Sequence, residues 1–350
     1  FKWREFYRAL FTANYTIESE NMIEEGTADE VRQLVGESYM LRAYVHFLLV
    51  NLYGEPYTHC DPATSKAIPL KLNSDTEAVL TRNTVGEVYS SILSDLVEAE
   101  KYLNVDKWEL GYNYRFTTLA VNALRSRVYL YMGDWAKSLE ASEAVLSVNN
   151  QLVDMSSSTI LPNEYNSSEN ILALEEVMNA QYVRAAKVAT SLWKLYGTGD
   201  LRKSKYFKQV TASNIQVIKG GSNQYRCSFR VGEIYLNAAE AALMTGEAAI
   251  DVARENLLTL MEKRYTANAY ATKEAAVNAM GWDELLQEIY NERTRELAFE
   301  GHRWFDLRRT TRPRLEKTFG GTSYVLEEND SRYTIRIPSE AIEANPGLAN

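Results

Sequence analysis

Acidic, basic and aromatic residues crowd one stretch of this chain, NERTRELAFEGHRWFDLRRT at residues 291–310, where nine Asp, Glu and Arg side chains surround a single glycine. Two carboxylates at the right separation can protonate a glycosidic oxygen and activate water or attack directly, so the chemistry this stretch could perform is glycoside hydrolysis. Helical spacing points elsewhere. Glu292 and Arg295, Arg293 and Glu296, Glu300 and Arg303, and Asp306 and Arg309 fall at i, i+3, and His302 and Asp306 at i, i+4, so each charge is expected to meet a local opposite. Catalytic groups more often carry an unpaired, perturbed charge. With Ile289, Leu297, Trp304 and Leu307 as an apolar stripe and Gly301 admitting a neighbouring backbone, the stretch reads as scaffold.

Other catalytic or cofactor signatures are missing from the sequence: it has no GxSxG, HExxH, P-loop or GxGxxG pattern. Of the three histidines, His46 lies in an apolar run and reads as a hydrogen-bonded core residue, while His59 beside Cys60 and Asp61 forms half of a metal corner that no second cluster completes. Cys60 and Cys227 are too few for a disulfide framework. The excess lies in polar aromatics, with 23 Tyr and 6 Trp against 10 Phe. Such rings suit half-wet surfaces, where a face stacks and an OH or NH donates. Those near turn signals, Trp108, Tyr112 and Tyr114 in KWELGYNYRF and Trp193 with Tyr196 in SLWKLYGTGD, are the candidates for a sugar or peptide platform. A formal charge of -9 supplies no basic field for nucleic acid, and no apolar run approaches the roughly 20 residues that span a bilayer.

The elements that must position these rings are helical, with apolar residues recurring at three and four. Tyr39 to Tyr53 is apolar nearly all round, as in the middle of a bundle, and Gly54 and Pro56 end it. Thr84 and Glu87 form a capping box for a second helix, expected antiparallel to the first, whose buried face is Val85, Val88, Ile92, Leu96 and Ala99. Residues 115–146 give a helix with Ala120, Leu124, Val128 and Tyr131 inward, a break at Gly133-Asp134, and a second helix. A degenerate cousin carries Tyr235, Ala238, Ala239 and Ala242 before Gly246. Repeated hairpins of this tetratricopeptide type imply an α-α superhelix in which each pair buries its face on the next. The expected layout is one domain over 1–350, with hairpins at about 30–146 and 228–310, a loop-rich insert at about 147–227, and a C-terminal loop and tail at 311–350.

Several segments in order resemble the SusD/RagB-like outer-membrane nutrient-binding lipoproteins of Bacteroidetes: GESYMLRAYVHFLLVNLYGEPY, TRNTVGEVYSSILSDLVEAEKYL, ALRSRVYLYMGDWAKSLEASEAVL, GTGDLRKSKYF, FRVGEIYLNAAEAAL, and above all ELAFEGHRWFDLRR and the closing RIPSEAIEANPGLAN. The resemblance implies a mostly α-helical SusD-like fold with a loop-rich ligand face. It also implies a lipid-anchored protein on the extracellular face of the outer membrane that captures oligosaccharides, without chemistry or cofactor, for a SusC-type TonB-dependent transporter. A peptide-binding member of the family, or a tetratricopeptide-type protein scaffold, is the alternative. The family's lipid-bearing cysteine is absent from these residues, and Phe1 falls inside the first family helix. No motif carries the family's ligand residues to positions here.

Overall fold

The computed structural model describes residues 3–174, 180–212, 214–220 and 226–349. Residues 175–179, 213 and 221–225 of the loop-rich insert thus lie outside the described residues. Helices α1 (Trp3–Glu18), α2 (Ala28–Tyr53) and α3 (Val85–Tyr102) precede the hairpin of α4 (Thr118–Met132) and α5 (Trp135–Val148). The insert holds β1 (Asn170–Leu172), α6 (Ala180–Ala185), α7 (Thr190–Leu195), α8 (Arg202–Tyr206), β2 (Phe207–Thr211) and β3 (Asn214–Val217), and β4 (Phe229–Arg230) follows it. Helices resume with α9 (Val231–Thr245), α10 (Ile250–Glu262), α11 (Ala267–Ala279), α12 (Trp282–Glu296) and α13 (Arg303–Arg309), before β5 (Leu315–Phe319), β6 (Thr322–Leu326) and α14 (Ser339–Ala344). Among the described residues the strands form antiparallel pairs, β1 with β4, β2 with β3 and β5 with β6. By their internal contacts the residues group into two compact units, one of 1–105, 131–133 and 304–350, the other of 106–130 and 134–303.

In the first unit α2 packs against both α1 and α3. Thr84 caps α3 in the expected box with Glu87, and Thr27 with Glu30 does the same for α2. Val85, Val88, Ile92, Leu96 and Ala99 are all fully buried. The pair is antiparallel: Tyr89 near the start of α3 bonds Asn51 near the end of α2, and the Asn104 amide beyond α3 bonds Gln33 near the start of α2. A Cβ at Gly36 would sit 2.8 Å from the Leu103 nitrogen, so glycine lets that backbone close on α2. Arg42 joins three helices, forking onto Asp95 at 2.9 and 2.6 Å and donating to Asn14 at 2.8 Å. His46 is the core histidine expected: its Nε2 accepts from the Lys71 amide, and burial, reinforced by Arg42, pulls it down to about 3, keeping the ring neutral. His59 lies 3.2 Å from the Arg309 carbonyl, and Asp61 spends its oxygens on the turn amide of Ala63 and on Thr64.

Arg308 ties the end of α2 to residues 333–334. It is 1% exposed and donates to the carbonyls of Asn51, Gly54 and Tyr333 and to the Thr334 hydroxyl. Burial lowers it to about 10, still charged at neutral pH. Arg308→Ala removes the donor from several buried carbonyls at once and should cost about 2–4 kcal/mol, read as a lower urea midpoint.

In the second unit α9 packs against α5, α10 and α12. Its Ala238, Ala239, Ala241 and Ala242 are fully buried, small enough for helices to approach on more than one side. A polar relay threads four helices: Ser142 of α5 meets Ser126 of α4 at 2.8 Å, Asn237 of α9 donates to Ser126 at 3.0 Å, and Arg293 of α12 donates to Asn237 at 2.7 Å. Arg127 of α4 adds a two-pronged bond to Glu233 of α9.

The insert is fastened to this bundle by charge. Glu296, at the end of α12, is fully buried and accepts from Arg202 at 2.9 Å, Arg230 at 2.7 Å and Arg264 at 2.9 Å. Glu169 bonds Arg230 and Arg264, Asp200 bonds Arg202, Glu292 bonds Arg202 and Arg295, and Glu300 bonds Arg230 and Lys219. The expected i, i+3 pairing holds for Glu292 with Arg295 and for Asp306 with Arg309. Glu296 and Glu300 instead find partners far away in sequence. For Glu300 the reason is that α12 stops at Glu296: Phe299 and Gly301 take positive φ, so residues 297–302 are not helical and Arg303 turns to Thr294; Arg293, within α12, turns to Asn237 and Glu240 instead of Glu296. Gly232 permits the crowding, since its amide donates to Glu169 and a Cβ there would lie 2.4 Å from an Arg230 nitrogen.

Burial by itself would raise these carboxyls, but the facing cations win. Arg264, Arg230 and Arg202 hold Glu296 well below the usual range, Arg202 and Arg295 lower Glu292, and Arg230 with Lys219 brings Glu300 to about 2. A carboxylate whose folded value is depressed stabilises the fold fully above its unfolded value, about 4.3, and that contribution vanishes as pH falls through the folded value. Thermal midpoints should therefore fall between about pH 4 and 2, with a shallower fall in Glu300→Gln, beneath an earlier decline that buried neutral His46 causes as pH drops below its unfolded value, about 6.5, all followed by circular dichroism.

Candidate functional site

Trp193 sits on α7, whose end turns through Gly197, Thr198 and Gly199 into α8. Gly199 takes a φ of 80°, and a Cβ there would strike Ala269, so the turn needs glycine. Leu192 and Trp193 lie on the edge of a small core of Met155, Tyr196, Tyr206, Phe207, Ile215, Val217 and Ala298. Trp193 meets Phe207 edge to face at 6.1 Å, and the Lys203 ammonium lies 4.5 Å from the indole centroid while donating to the Tyr196 carbonyl. An open cleft of about 460 Å³ results, bordered by Trp193, Thr198, Lys203, Ser204 and Gln209. Asp200 also borders it, but is committed to Arg202.

Tyr196, grouped with Trp193 as a platform residue from its nearness to GTGD, is a core residue instead. It is 1% exposed, its ring packs on Phe207, and its hydroxyl donates to the Arg295 carbonyl at 2.7 Å. One turn of helix separates inward from outward positions, and a turn signal nearby does not say which residue faces which way.

The second group lies on the loop before α4. Trp108 donates from Nε1 to the Phe116 carbonyl at 3.0 Å, and the Arg115 guanidinium covers its ring at 3.9 Å, so much of this indole closes the loop on itself. Tyr112 and Tyr114 are open, at 50% and 41% exposure, on either side of Asn113. Asn113 fixes them: its side chain donates to the Tyr165 carbonyl, and its own carbonyl accepts from the Ala173 amide. The cleft at Trp193 is lined by none of Trp108, Tyr112 or Tyr114.

The first unit holds two larger concavities that sequence reasoning passed over. One, of about 1070 Å³, is walled by Trp3, Tyr7 and Phe11 of α1 and by Pro338 and Asn345. The i, i+4 spacing of those three rings was a legible signal. The other, of about 1150 Å³, lies between the end of α2 and residues 331–349. The carboxylates of RELAFEG, by contrast, are buried, saturated with cations and depressed. A general acid at neutral pH needs the opposite shift, which leaves this stretch as scaffold.

A family model described as "Starch-binding associating with outer membrane" matches residues 1–130, and one described as "SusD family" matches residues 158–349, more than half of the chain. The SusD-like protein P38 of Formosa agariphila is 30% identical over 148 residues, 42% of this chain and 26% of its own, so the match spans about a quarter of that relative. A SusD superfamily protein of Bacteroides thetaiotaomicron superposes with a TM-score of 0.82 at 23% identity, covering 99% of this chain and 84% of that one. A laminarin-binding SusD-like protein does so with a TM-score of 0.61 at 20% identity, covering 88% and 77%. These superpositions show the fold, a mostly α-helical SusD-like architecture. Because the SusD family model covers more than half of its length, the chain belongs to the SusD/RagB family.

Proposed function

We propose that this protein captures oligosaccharides at the cell surface without altering them and passes them to a SusC-type TonB-dependent transporter, held to the extracellular face of the outer membrane by a lipid anchor. The observation that carries the binding step is the pairing of accessible rings with rigid support: Trp193 beside Thr198, Ser204 and Gln209, and Tyr112 with Tyr114 on a loop pinned by Asn113. A ring face stacks on the apolar face of a pyranose while neighbouring hydroxyls and amides bond its OH groups. Pinning the loops beforehand spares the ordering cost that binding would otherwise carry. The laminarin-binding neighbour supports the ligand class. Handover and anchoring rest on the family resemblance.

Calorimetry with laminarihexaose, maltoheptaose and xylohexaose should find binding by at least one. Trp193→Ala, or Tyr112→Ala with Tyr114→Ala, should weaken it by about five- to tenfold. Full affinity in all these variants would move the site off these loops, and shortened glycan after incubation would contradict binding without chemistry.

A further inference from the structure

Chemistry is concentrated a second time in the cleft of about 1150 Å³ within the first unit. Its border includes Lys66, Arg82, Arg332 and Arg336 against a single acid, Glu55, on a chain whose formal charge is -9. Arg332 is neutralised by Asp330 at 2.6 Å. Arg82 is held in place by the carbonyls of Ala67 and Lys66, at 2.9 and 2.8 Å. Lys66 and Arg336 are exposed and have neither a salt bridge nor a side-chain hydrogen bond among the described residues. Like charges gathered in a concavity repel one another and raise the local potential, which an anion relieves.

Tyr53 borders the same cleft, its ring packed edge to face on Trp3 at 4.8 Å. The wall itself is firm, because Ile335 bonds the Leu52 carbonyl and Arg308 clamps Asn51, Gly54 and Tyr333.

We infer that this cleft is a binding site for an acidic sugar, one bearing a carboxylate or a sulfate ester, with Lys66, Arg82 and Arg336 facing the anion. A concave site of this volume suits a small glycan better than the flatter surface of a protein partner. The inference rests on the glycan-binding reading and adds a charge preference and a place to it.

Binding of tetragalacturonate and of a carrageenan-derived sulfated tetrasaccharide is measured beside the methyl-esterified and desulfated forms, which keep the skeleton and lose the charge. The native protein should prefer at least one acidic form by about tenfold, and which one identifies the group. Lys66→Ala with Arg336→Ala should abolish the preference while leaving the melting temperature and neutral-glycan affinity unchanged, since neither side chain holds the fold. Neutral binding without acid preference, or a preference that survives the double variant, overturns this inference alone. Failure to bind any glycan, charged or neutral, removes the parent reading with it.

Discussion

Glu296 lies in the interior of its unit with guanidiniums from Arg202, Arg230 and Arg264 upon it, and each of those reaches a further carboxylate: Asp200 and Glu292, Glu169 and Glu300, and Glu169 again. Burying so many charges is costly, and the attraction between them repays the desolvation only when every lone pair and N–H is matched. Such a cluster therefore adds less to net stability than to uniqueness: it tolerates one arrangement. The arrangement ties Glu169, Asp200, Arg202 and Lys219 of the irregular middle segment to α12 and the end of α10. Residues with few ladder bonds of their own thereby acquire a fixed position, and so does the cleft at Trp193 built upon them.

The same device recurs where backbone carbonyls lack partners. In the first unit Arg308 gathers carbonyls from the end of α2 and from the 333–334 segment, as a strand ladder would. Binding proteins that perform no chemistry need rings and donors standing still in the right places, because each loop ordered in advance is entropy that the ligand does not have to remove. A helical scaffold with buried arginine ties meets that need while leaving loop sequence free to differ.

Much of the helical layout was legible. The capping box at Thr84, the buried face of α3, the break at Gly133-Asp134 and the alanine-lined α9 follow from spacing and cap chemistry, which act within a few residues. The wording of ELAFEGHRWFDLRR pointed to the family because its charges are scaffold. Its partners were not legible: helical geometry was assumed through residue 310, whereas the chain leaves the helix after Glu296.

The sequence by itself determined the main helices, several of their caps and breaks, and the family to which they belong, because those depend on local periodicity and motif. Tertiary structure alone decided that Tyr196 faces the core while Trp193 borders a cleft, and that Glu296 meets three arginines from elsewhere in the chain. It alone brought Tyr53, Lys66 and Arg82 to the same cleft as Arg336. These are encounters between residues tens to hundreds of positions apart, and no spacing rule reaches that far. Packing decides them, by matching buried charge with charge and leaving over what it cannot match.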